Sequence, residues 1–236
     1  RITAIDAEAA LASPGVLAVY TAKDWAADGL PDFPCDVAVK RPNGQEAPQA
    51  RRPVLVRDRI RTVGEPVAFV VAETLEAAKA AAELVVVETQ DVPTVATVAA
   101  ARASAAPAVW EEAPDNIAFV WKKGDAGAAI ARAPHVSELT SHISRVAALS
   151  LEPRGALGLV DEAGRLVLHA SNQSPHILKR ALANMLEVPA DQVRVVAKDV
   201  GGSFGMKSGA YPEDVLVLYA ARKLGRPVRW ISERHE

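Results

Sequence analysis

The chain has 236 residues, half of them hydrophobic, and a formal net charge of −2, which suits one large domain or two ordinary domains with a sizeable core. Charges of both signs are mixed throughout and no apolar run reaches the roughly 18 residues of a membrane-spanning helix, so nucleic acid and membrane are excluded as partners. The single cysteine, Cys35, excludes a disulfide framework, a zinc ribbon and a cysteine-ligated iron–sulfur cluster within the chain.

The first ninety residues alternate between strand and helix patterns. Apolar and β-branched runs predict four strands, and an alanine-rich segment between the last two predicts a helix. In chain order these elements are residues 2–5, 16–20, 66–72, the helix 75–84 and the strand 85–88. Thr74 is the predicted N-cap of the helix, and residues 28–53, rich in Pro, Gly and Asp, predict a long surface loop. This order predicts a mixed α/β layer over residues 1–92.

The composition then changes to Ala, Pro, Thr and Ser from Asp91 to Asn116, and hydrophobic periodicity fades. Residues 93–116 therefore predict a linker, and residues 117–236 predict a second domain. Its predicted elements are a hairpin of strands 156–160 and 165–170, a helix 175–186, a strand 193–196, a helix from 212 to about 225 and a strand 228–231. The fold class predicted for the whole chain is α+β.

A glycine-rich segment, Asp199-Val200-Gly201-Gly202-Ser203-Phe204-Gly205-Met206-Lys207-Ser208, lies between a predicted strand and a predicted helix. Glycines let backbone N–H groups approach an anionic ligand closely, although many such segments are only tight turns. A nucleotide-binding P-loop is disfavoured because Met206 stands where that pattern requires a glycine before Lys207.

The segment Ser171–His176 follows a predicted strand and precedes a predicted helix. Its amide side chains are suited to hydrogen-bond a polar ligand. The alternative is ordinary capping, in which Ser174 caps the helix and Asn172 and Gln173 are solvated.

The segment Leu151–Gly155 places Glu152 and Arg154 on either side of a proline. The favoured interpretation is a structural ion pair between these two side chains, and the alternative is that they line a pocket.

No catalytic residue and no metal ligand is assigned in this chain. The histidines lack a zinc-binding spacing, and no G-x-S-x-G nucleophile elbow occurs. These histidines are His135, His142, His169, His176 and His235.

Taken in order, these segments resemble the large subunits of xanthine dehydrogenases, aldehyde oxidases and aerobic carbon monoxide dehydrogenases. Residues 64–87, from Gly64-Glu65-Pro66-Val67-Ala68 to Glu83-Leu84-Val85-Val86-Val87, are similar to the α/β hammerhead domain of that family. Leu151–Gly155 is similar to its E-P-R motif, and residues 211–228 also look like the family. Gly202-Ser203-Phe204-Gly205 matches the Gly-Phe-Gly loop that lies against the cofactor, and Gln173 matches the glutamine that reaches toward the molybdenum ligands.

The resemblance implies an α/β hammerhead domain followed by the first part of a molybdopterin-binding mixed α/β domain. It implies that molybdopterin is bound by Gln173, Gly202, Ser203, Phe204 and Gly205. It also implies hydroxylation of a carbon centre in a small molecule (an aldehyde, an N-heterocycle or a CO-like substrate), with water as the oxygen source. Ser203 stands where many relatives have glycine, which leaves the substrate class open.

By the same resemblance, the catalytic base is a glutamate beyond Glu236, and the chain is a piece of a larger subunit. The partners implied are the rest of the large subunit and the iron–sulfur and FAD subunits or domains. A cytoplasmic location is the default expectation. The alternatives are a natural split subunit, a non-catalytic scaffold that forms only part of the cofactor site, and an unrelated α/β binding module.

Overall fold

The computed structural model describes residues 1–35, 39–41, 43–144 and 146–234. Its helices and strands are β1 (Ile2–Asp6), α1 (Glu8–Leu11), β2 (Val16–Thr21), α2 (Ala22–Ala27), β3 (Ala68–Ala72), α3 (Leu75–Ala82), β4 (Val86–Thr89), α4 (Val98–Ala101), α5 (Ala126–Arg132), β5 (Gly155–Val160), β6 (Leu166–Ala170), α6 (Pro175–Met185), β7 (Val193–Val196), α7 (Pro212–Leu224) and β8 (Val228–Ile231). They form two compact units: residues 1–34, 51–93 and 148–236, and residues 35–50 and 94–147. None of the described helices has the length and apolar character that crossing a membrane requires.

The strand–helix–strand segment of the first unit forms as predicted, but its two strands belong to different sheets. β3 pairs antiparallel with β2, and β4 pairs antiparallel with β1. The hydroxyl of Thr74 accepts a hydrogen bond from the Ala77 N–H at 3.1 Å, which confirms the predicted N-cap of α3. The mixed layer is thus two antiparallel strand pairs that pack with α3 and α1.

The predicted surface loop at residues 28–53 has no regular helix or strand in its described part, but it does not lie wholly on the surface. Leu30 and Phe33 are buried, and Phe33 forms an antiparallel bridge with Arg52. The Arg52 guanidinium lies 4.7 Å from the centroid of the Phe33 ring. The surface prediction is therefore wrong here, because bulk composition does not reveal single apolar anchors. Residues 36–38 and 42 of this loop lie outside the described residues.

A four-stranded sheet with the order β7-β6-β5-β8 carries the second half of the first unit. β5 and β6 are the predicted antiparallel hairpin, while β7 pairs parallel with β6 and β8 pairs antiparallel with β5. α7 lies against β5 at Gly158, where an added Cβ would be 2.7 Å from the Val217 carbonyl carbon. The missing side chain lets the helix backbone rest on the strand.

An aromatic cluster joins α2 and α7 within this unit. The ring centroids of Trp25 and Tyr20 lie 5.2 and 5.1 Å from that of Tyr219. The carboxylate of Asp28 accepts hydrogen bonds from the Tyr219 hydroxyl at 2.6 Å and from the Lys223 ammonium group at 2.8 Å. Burial and the adjacent carboxylate raise the pKa of Tyr219, so the phenol stays a donor. Residues near the start and the end of the chain thereby share one core.

The second unit is built on α4, α5 and connecting turns. Asn116, in the left-handed region at φ 56°, holds a turn with its side chain. Its amide oxygen accepts from the Val109 N–H at 2.9 Å, and its amino group donates to the Ala101 and Pro107 carbonyls at 3.1 Å each. Arg41 pairs with the carboxylate of Asp115 beside it.

Candidate functional site

Three loop segments meet at one edge of the four-stranded sheet. Residues 150–154 precede β5, residues 171–174 follow β6, and residues 201–207 follow β7. β5 runs antiparallel to β6, whereas β7 runs parallel to it. The start of β5 therefore lies beside the ends of β6 and β7, and the topology alone brings the three segments together.

Gln173 joins the second and third segments. Its backbone N–H donates to the Lys207 carbonyl at 2.9 Å. Its side-chain Oε1 accepts hydrogen bonds from the Ser203 hydroxyl and from the Gly205 N–H, the latter at 3.3 Å. The Gly205 N–H can only donate, so it identifies the atom facing the loop as Oε1. Within the described residues the Nε2 amino group makes no hydrogen bond, which leaves two donors for a ligand.

The glycine-rich loop has left-handed backbone at Gly202 (φ 100°), Phe204 (φ 53°) and Gly205 (φ 90°). A Cβ at residue 202 would lie 3.0 Å from the Ser150 Cβ, so glycine is needed there for space as well as for φ. The Phe204 side chain is 78% exposed. In the part of the chain that the structure describes, the N–H groups of Gly202, Ser203 and Phe204 donate no hydrogen bond. The loop therefore presents a short row of unused backbone donors.

Lys207 points inward, away from this row. Only 1% of the residue is exposed, and its ammonium group donates to Glu152 O at 2.8 Å, Glu152 Oε2 at 3.0 Å and Ser171 Oγ at 2.7 Å. All three N–H donors are used, so this lysine cannot hold a phosphate as the P-loop lysine does.

The Glu152 carboxylate accepts two further hydrogen bonds on Oε2, from the Ser171 hydroxyl at 2.5 Å and from the Gly201 N–H at 2.8 Å. Burial alone would raise the pKa of Glu152, but the hydrogen bonds from Ser171, Lys207 and Gly201 outweigh it and hold this pKa below its usual value. Glu152 is thus an ionised anchor under the loop.

The predicted ion pair between Glu152 and Arg154 is wrong, because each side chain has a more distant partner. The Arg154 guanidinium donates to Glu213 at 2.6 Å and lies 4.4 Å from the Tyr211 ring centroid. The sequence spacing placed the two charges close together but carried no information on their actual partners, which lie 55 and 59 positions away.

The capping alternative for Ser171–His176 is wrong for Ser174 and Asn172, whereas Gln173 is exposed as that alternative expects. The Ser174 side chain makes no capping hydrogen bond. Instead, Asn172 Oδ1 accepts from the Ser174 N–H at 2.7 Å, and Asn172 Nδ2 donates to the Gly209 carbonyl at 3.2 Å. Asn172 is buried rather than solvated, and it ties the start of α6 to the far end of the loop segment.

Sequence reasoning missed the buried polar groups around the site. Besides Lys207, Asp214 is buried at the start of α7 and accepts the Tyr211 N–H at 3.0 Å. Burial raises the pKa of Asp214 to about 7. The sequence did carry a signal for it. Asp214 stands three residues after Tyr211, the residue that precedes α7, and this is the position of the acid in a capping box. Among the described residues, no group of three or more His, Cys, Asp or Glu side chains could hold a metal ion. His235 lies outside that part of the chain.

The fold is α+β. At this sheet edge the 202–205 loop presents unused backbone N–H donors, and the Gln173 amide is hydrogen-bonded to the same loop. Residues 1–93 match a family model described as the aldehyde oxidase and xanthine dehydrogenase a/b hammerhead domain, and residues 109–236 match one described as a molybdopterin cofactor-binding domain. The chain belongs to this molybdopterin-binding family of aldehyde oxidases and xanthine dehydrogenases. The resemblance, the fold class and the molybdopterin-binding domain predicted from sequence are thereby confirmed.

Several relatives align over the whole chain. It is 34% identical to the nicotine 6-hydroxylase large subunit of Paenarthrobacter nicotinovorans and 31% identical to the carbon monoxide dehydrogenase large chain of Hydrogenophaga pseudoflava, covering 100% of this chain and 28% and 30% of theirs. Among solved structures, quinoline 2-oxidoreductase from Pseudomonas putida 86 aligns with a TM-score of 0.83 at 30% identity, and a Cu,Mo-CO dehydrogenase aligns with a TM-score of 0.84 at 29% identity. Both alignments cover 99% of this chain and 29% and 30% of those proteins. The chain thus spans about three tenths of the length of these relatives.

Proposed function

We propose that the chain is the cofactor-holding part of the large subunit of a xanthine dehydrogenase-type molybdenum hydroxylase. The whole enzyme would hydroxylate a carbon centre of an aldehyde, an N-heterocycle or a CO-like substrate, with oxygen from water. The support is membership in the family together with similarity over the full chain to large subunits of that kind.

The observation that carries this proposal is the pair of hydrogen bonds that the Gln173 side chain accepts from Ser203 and Gly205 of the 202–205 loop. One side of the Gln173 amide is fixed by Ser203 and Gly205, so its free amino group projects a defined pair of donors. The unused N–H groups of residues 202–204 stand on the same loop. Molybdopterin carries a phosphate and many acceptor atoms, so these donors fit it chemically.

In this proposal each residue has a limited task. Gln173 and the backbone N–H groups of Gly202, Ser203 and Phe204 bind and orient the cofactor, and the Gly205 N–H holds the Gln173 amide in place. The exposed Phe204 ring excludes water and contacts the substrate. When bound, the cofactor would supply the redox chemistry, and water would supply the oxygen. No catalytic residue is assigned in this chain.

The organisation of the enzyme is proposed from the same resemblance. Residues 1–92 would be the hammerhead domain, residues 93–116 a linker and residues 117–236 the start of the cofactor domain. The partners would be the rest of the large subunit and subunits that carry the iron–sulfur centres and FAD, in the cytoplasm. The similarity to the 6-hydroxypseudooxynicotine dehydrogenase complex subunit gamma of Paenarthrobacter nicotinovorans supports an assembly of several chains.

The test is molybdenum and pterin analysis of the full-length protein, purified with the chains that accompany it. We expect near-stoichiometric molybdenum in the wild type and a clear loss in the Gln173→Ala variant. Gln192→Ala is the matched control, because Gln192 is exposed and, among the described residues, only its backbone makes a hydrogen bond, within a local turn. Absence of molybdenum from the wild type, under conditions that load a related enzyme, would contradict the proposed function. Full molybdenum occupancy in the Gln173→Ala variant would show that Gln173 does not bind the cofactor.

A further inference from the structure

A buried lysine lies beneath the glycine-rich loop, and the proposed function does not use it. Lys207 places its ammonium group among Glu152 O, Glu152 Oε2 and Ser171 Oγ, at 2.7 to 3.0 Å. A lysine so completely buried is rare unless it is paired, because the charge loses its hydration. Here every donor has an acceptor, and one of these acceptors is an ionised carboxylate.

The backbone of the same lysine holds both proposed cofactor contacts. Its N–H donates to the Ser203 hydroxyl oxygen at 3.0 Å, and its carbonyl accepts from the Gln173 N–H at 2.9 Å. Lys207 therefore connects Gln173 and Ser203 through its main chain, while its side chain is fixed to Glu152 and Ser171. A shift of the ammonium group would move both contacts.

Glu152 supports the loop from the other side. Its backbone N–H donates to the Gly201 carbonyl at 3.2 Å, and its Oε2 accepts the Gly201 N–H at 2.8 Å. The two residues are so close that a Cβ on Gly201 would lie 2.5 Å from the Glu152 Cβ. The loop thus begins directly on Glu152 and ends on Lys207.

We propose that Lys207 and Glu152 are a positioning pair, whose contact sets the placement of Gln173 and of the 202–205 loop toward the cofactor. This inference rests on the proposed function for what the loop binds, but the geometry of the pair is independent of it. The pair touches neither cofactor nor substrate and acts through Gln173 and Ser203. The Lys207 side chain is buried, whereas the Glu152 side chain is 40% exposed. Replacing such an ion pair by two neutral groups often leaves stability intact, whereas only the charged pair supplies these directional hydrogen bonds. Stability and positioning can therefore be separated by experiment.

The variants are Lys207→Met, Glu152→Gln and the double variant, in the full-length large subunit purified with its accompanying chains. Glu152→Gln leaves the buried Lys207 ammonium group without its carboxylate and should lower the melting temperature. Lys207→Met leaves a Glu152 carboxylate that is 40% exposed and still accepts from Ser171 and Gly201, so its loss should be smaller. The double variant removes both charges and should recover most of that loss. Lys223→Met is the matched control, because Lys223 forms a half-exposed ion pair with Asp28 and contacts none of the three loop segments.

The first readout is hydrogen–deuterium exchange of residues 201–207, which requires no cofactor. We expect about tenfold faster exchange at the amides of Gly201, Gly205 and residue 207 in the double variant, the factor that corresponds to one lost hydrogen bond. Exchange elsewhere and in Lys223→Met should stay at the wild-type level. The second readout is the electron paramagnetic resonance spectrum of the reduced molybdenum centre, which should change in the double variant even though its stability is recovered.

Wild-type exchange in the loop of the double variant, with an unchanged molybdenum spectrum, would overturn the positioning role and leave the pair a stabilising element. If the wild-type protein holds no molybdenum, the proposed function fails, but the exchange comparison still decides whether the pair positions the loop. If a single variant does not fold, the double variant decides the same question.

Discussion

The contact between β5 and α7 gives a sharp prediction at Gly158. An alanine Cβ there would lie 2.7 Å from both the carbonyl carbon and the carbonyl oxygen of Val217, and 2.8 Å from the Leu218 nitrogen. Ordinary contact begins at 3.4 Å, so α7 would have to move by about 0.7 Å. Overpacking of a core costs about 1–3 kcal/mol, and we expect about 3 kcal/mol for Gly158→Ala because the obstacle is the backbone of a buried helix.

The matched control is Gly155→Ala on the same strand. Its Cβ would lie 3.8 Å from the Ile231 side chain and 3.9 Å from the Trp230 carbonyl, which is normal contact. Its free energy of unfolding should stay within about 0.5 kcal/mol of the wild type. The assay is urea unfolding of the chain followed by far-UV circular dichroism. Equal midpoints for the two variants would refute the view that helix and strand approach this closely.

Three further predictions concern the site. Gly201→Ala should displace Glu152 and lower the molybdenum occupancy of the full-length protein. Gly209→Ala should not lower it, because an added Cβ there meets nothing within 4 Å. Equal molybdenum occupancy in the two variants would contradict the close contact between Gly201 and Glu152. At Phe204 (φ 53°), the Gly variant should be more stable than the Ala variant by about 1 kcal/mol in urea unfolding, because only glycine adopts left-handed backbone without strain. Asp214 has a pKa raised by burial to about 7, so the folded state binds its proton more tightly than the unfolded state does. The protonated Asp214 carboxyl therefore adds its full contribution to the free energy of unfolding below pH ~4, and this contribution is lost as the pH rises to about 7. It amounts to up to about 4 kcal/mol. Asp214→Asn should remove this decline from urea midpoints measured between pH 4 and pH 7.5, and an unchanged slope would show that another group causes it.

Much of the fold could be predicted because the signals were local. Thr74, Pro175 and Pro212 mark helix starts by capping chemistry and fixed φ, and the apolar runs of the strands need only neighbouring residues to be recognised. The pairing of the strands could not be predicted in this way. The sequence places β3 and β4 around one helix, yet each pairs with a strand whose partner residues lie 47 to 87 positions earlier.

For the candidate site, the sequence by itself determined which segments carry the polar and glycine residues, and through the motifs it determined the family. The hydrogen bonds and ion pairs that these residues form were decided by the tertiary structure. Lys207 and Glu152 lie 55 residues apart and meet only because β5, β6 and β7 present their ends at one sheet edge. The partner of Arg154 likewise became Glu213 rather than the nearby Glu152. Capping and periodicity act over a few residues of chain, whereas ion pairs and buried hydrogen bonds depend on distances in space, and those are fixed only when the sheet has formed.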